Sequence, residues 1–190
     1  MIQAVIFDCF GVLATDGWLP FRDKHFGNKP DLLEEARAHN IRVDRGLMSY
    51  NDFIEWLSSV TSVPYKDIKR LIEGNKPNEP LFRYIRDTIS PHYRVGLLSN
   101  AGANWLNDIF EPWQIALVDE AVLSCDLGIV KPHPVMYETI ATRLGVLPED
   151  AVFVDDRIEF VTGAQAIGMK AIIYRDMAQM RGDLEAILRA

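Results

Sequence analysis

The sequence predicts an α/β fold: a doubly wound parallel sheet with a block of helices inserted after its first strand. Three observations carry this. Five short runs of β-forming residues are apolar throughout instead of alternating, as strands buried on both faces of a sheet must be. Stretches with helical character separate the later runs, and strand alternating with helix is the pattern of a parallel sheet covered on both sides. Residues 16–89 break the rhythm, holding helical patterns and no strand.

The strand runs are "AVIF" at 4–7, "VGLL" at 95–98, "IALV" at 115–118 (or, in its place, "AVL" at 121–123), "AVFV" at 151–154 and "AIIY" at 171–174. "NWLNDIFEPW" is the helix after the second run, "PVMYETIATRLG" after the third and "EFVTGAQAIG" after the fourth. Gly145 and Gly168 stand where the last two would be C-capped. Within 16–89, "PDLLEEARAHN", "SYNDFIEWLSSV", "PYKDIKRLIEG" and "EPLFRYIRDTI" read as four helices. Pro30-Asp31 opens the first, and Ser49 with Asp52 three residues on opens the second. The expected division is a core of residues 1–15 and 90–190 and a helical insertion of 16–89.

At 190 residues, 48% apolar and 25% charged, the chain has the composition of an ordinary globular protein with a sizeable core. Its 20 basic and 27 acidic residues leave a net charge of −7, which argues against nucleic acid or an anionic membrane as partner. Cys9 and Cys125, its two cysteines, belong to no CxxC or Cys/His cluster, so neither zinc nor a disulfide framework is expected. Asp8 interrupts the first apolar run long before the ~20 residues of a membrane span. The expectation is a cytoplasmic monomer or homodimer.

In a parallel sheet, ligands gather beyond the carboxyl ends of the strands. Asp8 follows the first run, Ser99 and Asn100 the second, and Asp155 and Asp156 the fourth, while Lys131 lies in the loop after the third. Converging on one rim, these residues supply hard carboxylate oxygens for Mg²⁺ and a hydroxyl and an ammonium for phosphate oxygens. They also leave a carboxylate free to attack phosphorus. Taken singly, each has a plainer role: Asp8, Ser99-Asn100 and Asp155-Asp156 are all good helix N-caps. Their shared placement favours the chemical one.

Four segments, "VIFDCFGVL", "VGLLSNAG", "GIVKPHPVMYETIATRLGV" and "VFVDDRIEFVTGAQAIGMKAI", resemble in order and spacing the four motifs of the haloacid dehalogenase-like hydrolase superfamily. The resemblance implies a Rossmann-like core with a helical cap over the site. It implies Asp8 as nucleophile, Ser99 as phosphate-binding hydroxyl, and Lys131 as the residue steadying both. By the same resemblance Mg²⁺ is the cofactor, held by Asp8, the Phe10 carbonyl and Asp156 directly and by Asp155 through water. Asn100, Phe10 and Trp18 are the candidates for contact with a small phosphorylated metabolite.

One residue departs from the pattern. Family phosphatases usually carry a second Asp two residues after the nucleophile, to protonate the leaving group, and Phe10 stands there. An aromatic residue at this place is a feature of the family's true haloacid dehalogenases, which use no Mg²⁺ but usually have "SSN" where this chain has Asp155-Asp156. A Mg²⁺-dependent phosphatase is therefore the favoured expectation, with a 2-haloacid dehalogenase and a phosphate-ligand binder of little turnover as alternatives. Without a proton shuttle, esters with acidic leaving groups should react best, unless a cap residue or the substrate supplies the proton. Phe21 joins Trp18 as a candidate wall of the pocket, and Arg22, Lys24, Arg42 and Arg45 are candidate cap cations. His25, His39, His92 and His133 have no metal spacing.

Overall fold

A computed structural model describes residues 1–103 and 105–189. Five strands, β1 (Ala4–Phe7), β2 (Arg94–Ser99), β3 (Glu120–Leu123), β4 (Ala151–Asp155) and β5 (Lys170–Ile173), form one parallel sheet in the order β3-β2-β1-β4-β5. The centre belongs to β1, whose Val5 pairs in register with Val95 and Val152 on its two neighbours. All four β1 residues are buried, as an uninterrupted apolar run demands.

Successive strand residues supply opposite faces. Val5, Phe7, Val95, Leu97, Val152 and Val154 pack with α5 (Glu79–Tyr84), a π-helical turn (Ile85–Ile89) and α11 (Met177–Arg189). Ala4, Ile6, Leu98, Ala151 and Phe153 pack with α9 (Pro134–Leu144) and α10 (Ile158–Ala166) on the other side. Gly145 ends α9 at φ +72° and Gly168 follows α10 at φ +91°, the left-handed conformation expected past a helix end.

The third strand is the later alternative. "IALV" at 115–118 closes a short helix, α7 (Pro112–Ile115), because Glu111 and Gln114 form a reciprocal capping box around Pro112. Asp119 then ties the chain to β2, its N–H donating to the Val95 carbonyl and its carboxylate accepting from the Val95 N–H, and β3 starts at Glu120. The helix expected at 104–113 is likewise divided, into α6 (Leu106–Ile109) and α7; its first residue, Asn104, lies outside the described residues. Another short helix, α8 (Ser124–Leu127), follows β3.

A separate helical unit, α1 (Trp18–Phe26), α2 (Pro30–Asp44), α3 (Tyr50–Thr61) and α4 (Tyr65–Glu73), encloses its own core of Phe21, Phe26, Phe53, Ile54, Leu57 and Ile68. Pro30 opens α2, and the Ser49 side chain caps α3 by accepting from Asp52 N–H. The unit joins the sheet through two paired segments. Thr15 N–H donates to Lys76 O and Asn78 N–H to Leu13 O, an antiparallel hinge. Beyond it, α5 packs with the sheet, so the fourth helix expected in the insertion contributes to the sheet's core cluster. The first, α1, carries mixed residues with no clear apolar stripe and had no sequence signal; Asp16 starts it, accepting from Trp18 and Leu19 N–H at 2.7 and 3.0 Å.

Candidate active site

The carboxyl end of β1 delivers Asp8 to the middle of the rim, between β2 and β4, because β1 is the central strand. Asp8 N–H still donates to Val154 O at 2.9 Å, extending the ladder one residue before the chain turns. The turn is tight: Gly11 N–H donates to Ala14 O and Ala14 N–H to Cys9 O, each at 2.8 Å. Gly11 sits at φ +86°, and a Cβ there would lie 2.4 Å from Asp156 Oδ2. No side chain fits between the loop and that carboxylate.

Lys131 reaches the rim from the loop after α8. Its buried ammonium donates to Asp8 Oδ1 at 2.7 Å, Asp155 Oδ2 at 2.7 Å and the Leu98 carbonyl at 3.0 Å, which uses its three protons. Asn100 holds the Lys131 backbone, accepting from its N–H at 2.8 Å and donating to its carbonyl at 3.4 Å. Asp155 is fully buried, and its second oxygen accepts from Arg157 N–H at 2.8 Å. Both its oxygens are thus engaged by protein. Asp156 differs: its Oδ1 is buried and has no partner among the described residues, and the buried Ser99 hydroxyl is in the same position.

Three carboxylates, from Asp8, Asp155 and Asp156, bring one oxygen each within 4.8 Å of one another. One ammonium does not neutralise them. Burial pushes the Asp8 carboxyl up to about 8, with Asp155 and Asp156 adding to the rise and Lys131 opposing it. Burial and the Asp155 charge push Asp156 up to about 6. Lys131 is held above its ordinary value by the two carboxylates it touches, against the opposing effect of burial, and stays an ammonium. An orphaned carboxylate oxygen on Asp156, the neighbouring carboxylates of Asp8 and Asp155, and a glycine where the loop meets Asp156 leave an all-oxygen donor set that fits a small hard cation such as Mg²⁺.

Above the rim lies a cavity of about 500 Å³. Asp8, Ser99, Asn100 and Lys131 form its floor; Asn40, Asp44, Tyr50, Phe53 and Lys69 of the helical unit form its roof. Phe10, Trp18 and Trp105 give it aromatic walls, the Phe10 ring lying against Trp105 with centroids 4.4 Å apart. Phe21 does not reach it and is buried in the core of the helical unit. Of the cations expected to face substrate, none lines the cavity: Arg22 pairs with Asp23 at 2.6 Å, and Arg45 donates to Gly128 O at 2.8 Å. Lys69 and Arg157 line it instead. Arg157 could have been found from its place directly after Asp155-Asp156. Lys69, like Asp44, had no signal, since any residue of an amphipathic helix can be aimed at a neighbouring site only by packing.

The haloacid dehalogenase-like hydrolase family model matches residues 2–168. A sesquiterpene phosphatase of Aspergillus oryzae is 26% identical over 182 residues, covering 92% of this chain and 90% of its own. A phosphatase of Mycobacterium tuberculosis is 27% identical over 207 residues, covering 95% and 90%. Among solved structures, a Bacteroides thetaiotaomicron enzyme of the same family, crystallised with magnesium and inorganic phosphate, superposes with a TM-score of 0.69 at 20% identity over 95% of this chain and 99% of its own. A family match over nearly the whole chain agrees with an aspartate on the central strand, a lysine bridging two carboxylates and a helical unit over the rim: the chain belongs to the haloacid dehalogenase-like hydrolases.

Proposed function

We propose that this hydrolase is a Mg²⁺-dependent phosphatase of small phosphorylated metabolites, working through an aspartyl-phosphate on Asp8 with the helical unit as its cap. The observation that supports it best is the surplus of carboxylate at the rim. Three acids against one ammonium, with an unpartnered Asp156 oxygen among them, suit a cation and a phosphoryl group better than a neutral substrate. Asp8, Asp156 and the Phe10 carbonyl would hold Mg²⁺, with Asp155 behind, and the cation would offset the charge between carboxylate and phosphate. Lys131 keeps one Asp8 oxygen fixed at 2.7 Å and leaves the other to attack phosphorus. The Ser99 hydroxyl, spared by the protein, donates to a phosphate oxygen, and Asn100 keeps Lys131 in place. A cavity of this size with polar floor and aromatic walls takes a small metabolite.

Phosphorylated metabolites assayed with Mg²⁺ or EDTA, alongside 2-chloropropionate, test this. Phosphate release that needs Mg²⁺ and disappears in Asp8→Asn is expected, since Asn keeps the size of the side chain and removes the anionic nucleophile. EDTA-insensitive release of chloride would make the protein a dehalogenase, the reading that Phe10 favours. Absence of turnover on every compound would leave a binding protein.

A further inference from the structure

Position 10 holds a ring, so a phosphatase here needs its proton from elsewhere, and the cap presents an acid to the same cavity. Asp44, the last residue of α2, lines the same cavity as Asp8 and Ser99. It is held there from the core. The Asp44 carbonyl accepts from the Ser124 hydroxyl of α8, Arg45 Nε donates to Gly128 O at 2.8 Å, and Val43 packs on Gly102 so closely that a Cβ at 102 would lie 2.5 Å from Val43 Cγ1. The end of α2 is thereby docked onto Gly102 after β2 and onto α8 and Gly128 after β3, the connections that carry Asn100 and Lys131 to the cavity floor beside Ser99 at the end of β2. The Asp44 carboxyl accepts one bond, from Asn40 Nδ2 at 2.8 Å.

We infer that Asp44 is the general acid and base of this enzyme, supplying from the cap the proton that Phe10 cannot supply from the core. The inference rests on the phosphatase reading above. As an Asp8 oxygen bonds to phosphorus and the P–O bond to the leaving group breaks, the Asp44 carboxyl proton passes to the departing oxygen. Alcohol, aspartyl-phosphate and an Asp44 carboxylate result. That carboxylate then takes a proton from the water that attacks the aspartyl-phosphate, which restores Asp44 as the acid and releases phosphate and the Asp8 carboxylate. The groups facing Asp44 are Asn40 on its own helix, Tyr50 on α3, Asp16 at the start of α1, and Arg157 and Lys131 on core loops. Burial outweighs the pull of Arg157 and Lys131 and pushes its carboxyl up to about 7, where it both gives and takes a proton near neutrality. Asp16 and Glu73 also line the cavity from this side, but the Asp16 Oδ1 is engaged by two backbone N–H groups at the start of α1 and Glu73 pairs with Lys69 at 3.6 Å.

Asp44→Asn keeps the size of the side chain and the bond from Asn40. With Mg²⁺ present, kcat is to be measured on glycerol 3-phosphate, glucose 6-phosphate and ribose 5-phosphate and compared with p-nitrophenyl phosphate, whose leaving group needs no proton. The expected result is a 10²- to 10⁴-fold loss on whichever alkyl esters the wild type hydrolyses. On p-nitrophenyl phosphate, one equivalent of nitrophenolate should appear in a burst, followed by a slow phase while phosphoryl adduct accumulates on the protein, read by intact mass. A purely structural Asp44 would lower both substrates by one factor with no burst, and that outcome overturns the inference. A second measurement needs only the wild type. Its kcat/KM should depend shallowly on leaving-group pKa across aryl and alkyl phosphates, and a steep dependence overturns the inference as well. Wild-type protein inert toward every phosphate removes the phosphatase reading and Asp44's role with it, whereas an active wild type with either adverse result removes Asp44 alone.

Discussion

Lys131 and Asp155 form an ion pair with both side chains at 0% exposure, and its removal gives the sharpest test of how this rim is held together. Lys131→Met keeps an unbranched stem against the rings of Phe153 and Phe160, whose centroids lie 5.2 and 4.8 Å from Nζ, so little packing is lost. What is lost is charge. Asp155 keeps only the Arg157 N–H, and the Leu98 carbonyl and Asp8 Oδ1 lose their donor. Removing one partner of a buried pair costs about 3–5 kcal/mol, because the other charge stays desolvated. Against a total stability of about 5–15 kcal/mol this is readily measured by urea denaturation in EDTA. Asp155→Asn should cost less, since the ammonium keeps Asp8 Oδ1 and the Leu98 carbonyl as partners. In the double variant neither charge remains, so its loss should fall at least ~2 kcal/mol short of the sum, at the upper end of couplings between residues in contact. Losses that add within ~0.5 kcal/mol would refute the claim that this contact, and not general packing, holds Lys131.

Mg²⁺ should raise the melting temperature, by the equivalent of about 2.7 kcal/mol at a hundred times its dissociation constant, and Asp156→Ala should abolish the response; identical melting curves in Mg²⁺ and EDTA would contradict the proposed donor set. In EDTA the protein should lose stability as pH rises from about 4 to 8. Asp156 and Asp8 titrate near 6 and 8 in the fold, above their ordinary value of 3.8, so the folded state binds more protons than the unfolded chain across this range. Asp156→Asn should flatten the part of the slope below about 6 in urea titrations; a slope unchanged there would show that Asp156 is not raised. Gly11→Ala should weaken Mg²⁺ binding at least tenfold in calorimetric titration, because its Cβ displaces the Asp156 carboxylate and φ +86° is strained for any other residue. Unchanged affinity would place the cation away from Asp156.

Much of this site is legible in the sequence because the sheet makes it so. An apolar run buried on both faces has to end where its polar residues begin, and in a parallel sheet all those ends share one edge. Asp8, Ser99 and Asp155-Asp156 could therefore be placed together from strand ends, and Lys131 from the loop after the third run. The third strand was ambiguous because "IALV" and "AVL" are both apolar; a capping box around Pro112 and the tie from Asp119 to Val95 decided between them. The helical unit was less legible. Its helices announce themselves by period and caps, except α1, but periodicity says which face is buried and not which residue meets a distant strand end. Extension of α2 to Asp44, four residues past the "PDLLEEARAHN" pattern, brings an acid to the cavity that Asp8 lines only because α2 docks on α8 and Gly102. Arg22 and Arg45 point to other partners for the same reason. Local residue order thus determined the strands, their polar ends and the place of Asp8 at the central strand's end, whereas the docking of two separately packed units decided the roof of the cavity, since contacts between units depend on surfaces assembled from residues far apart in the chain.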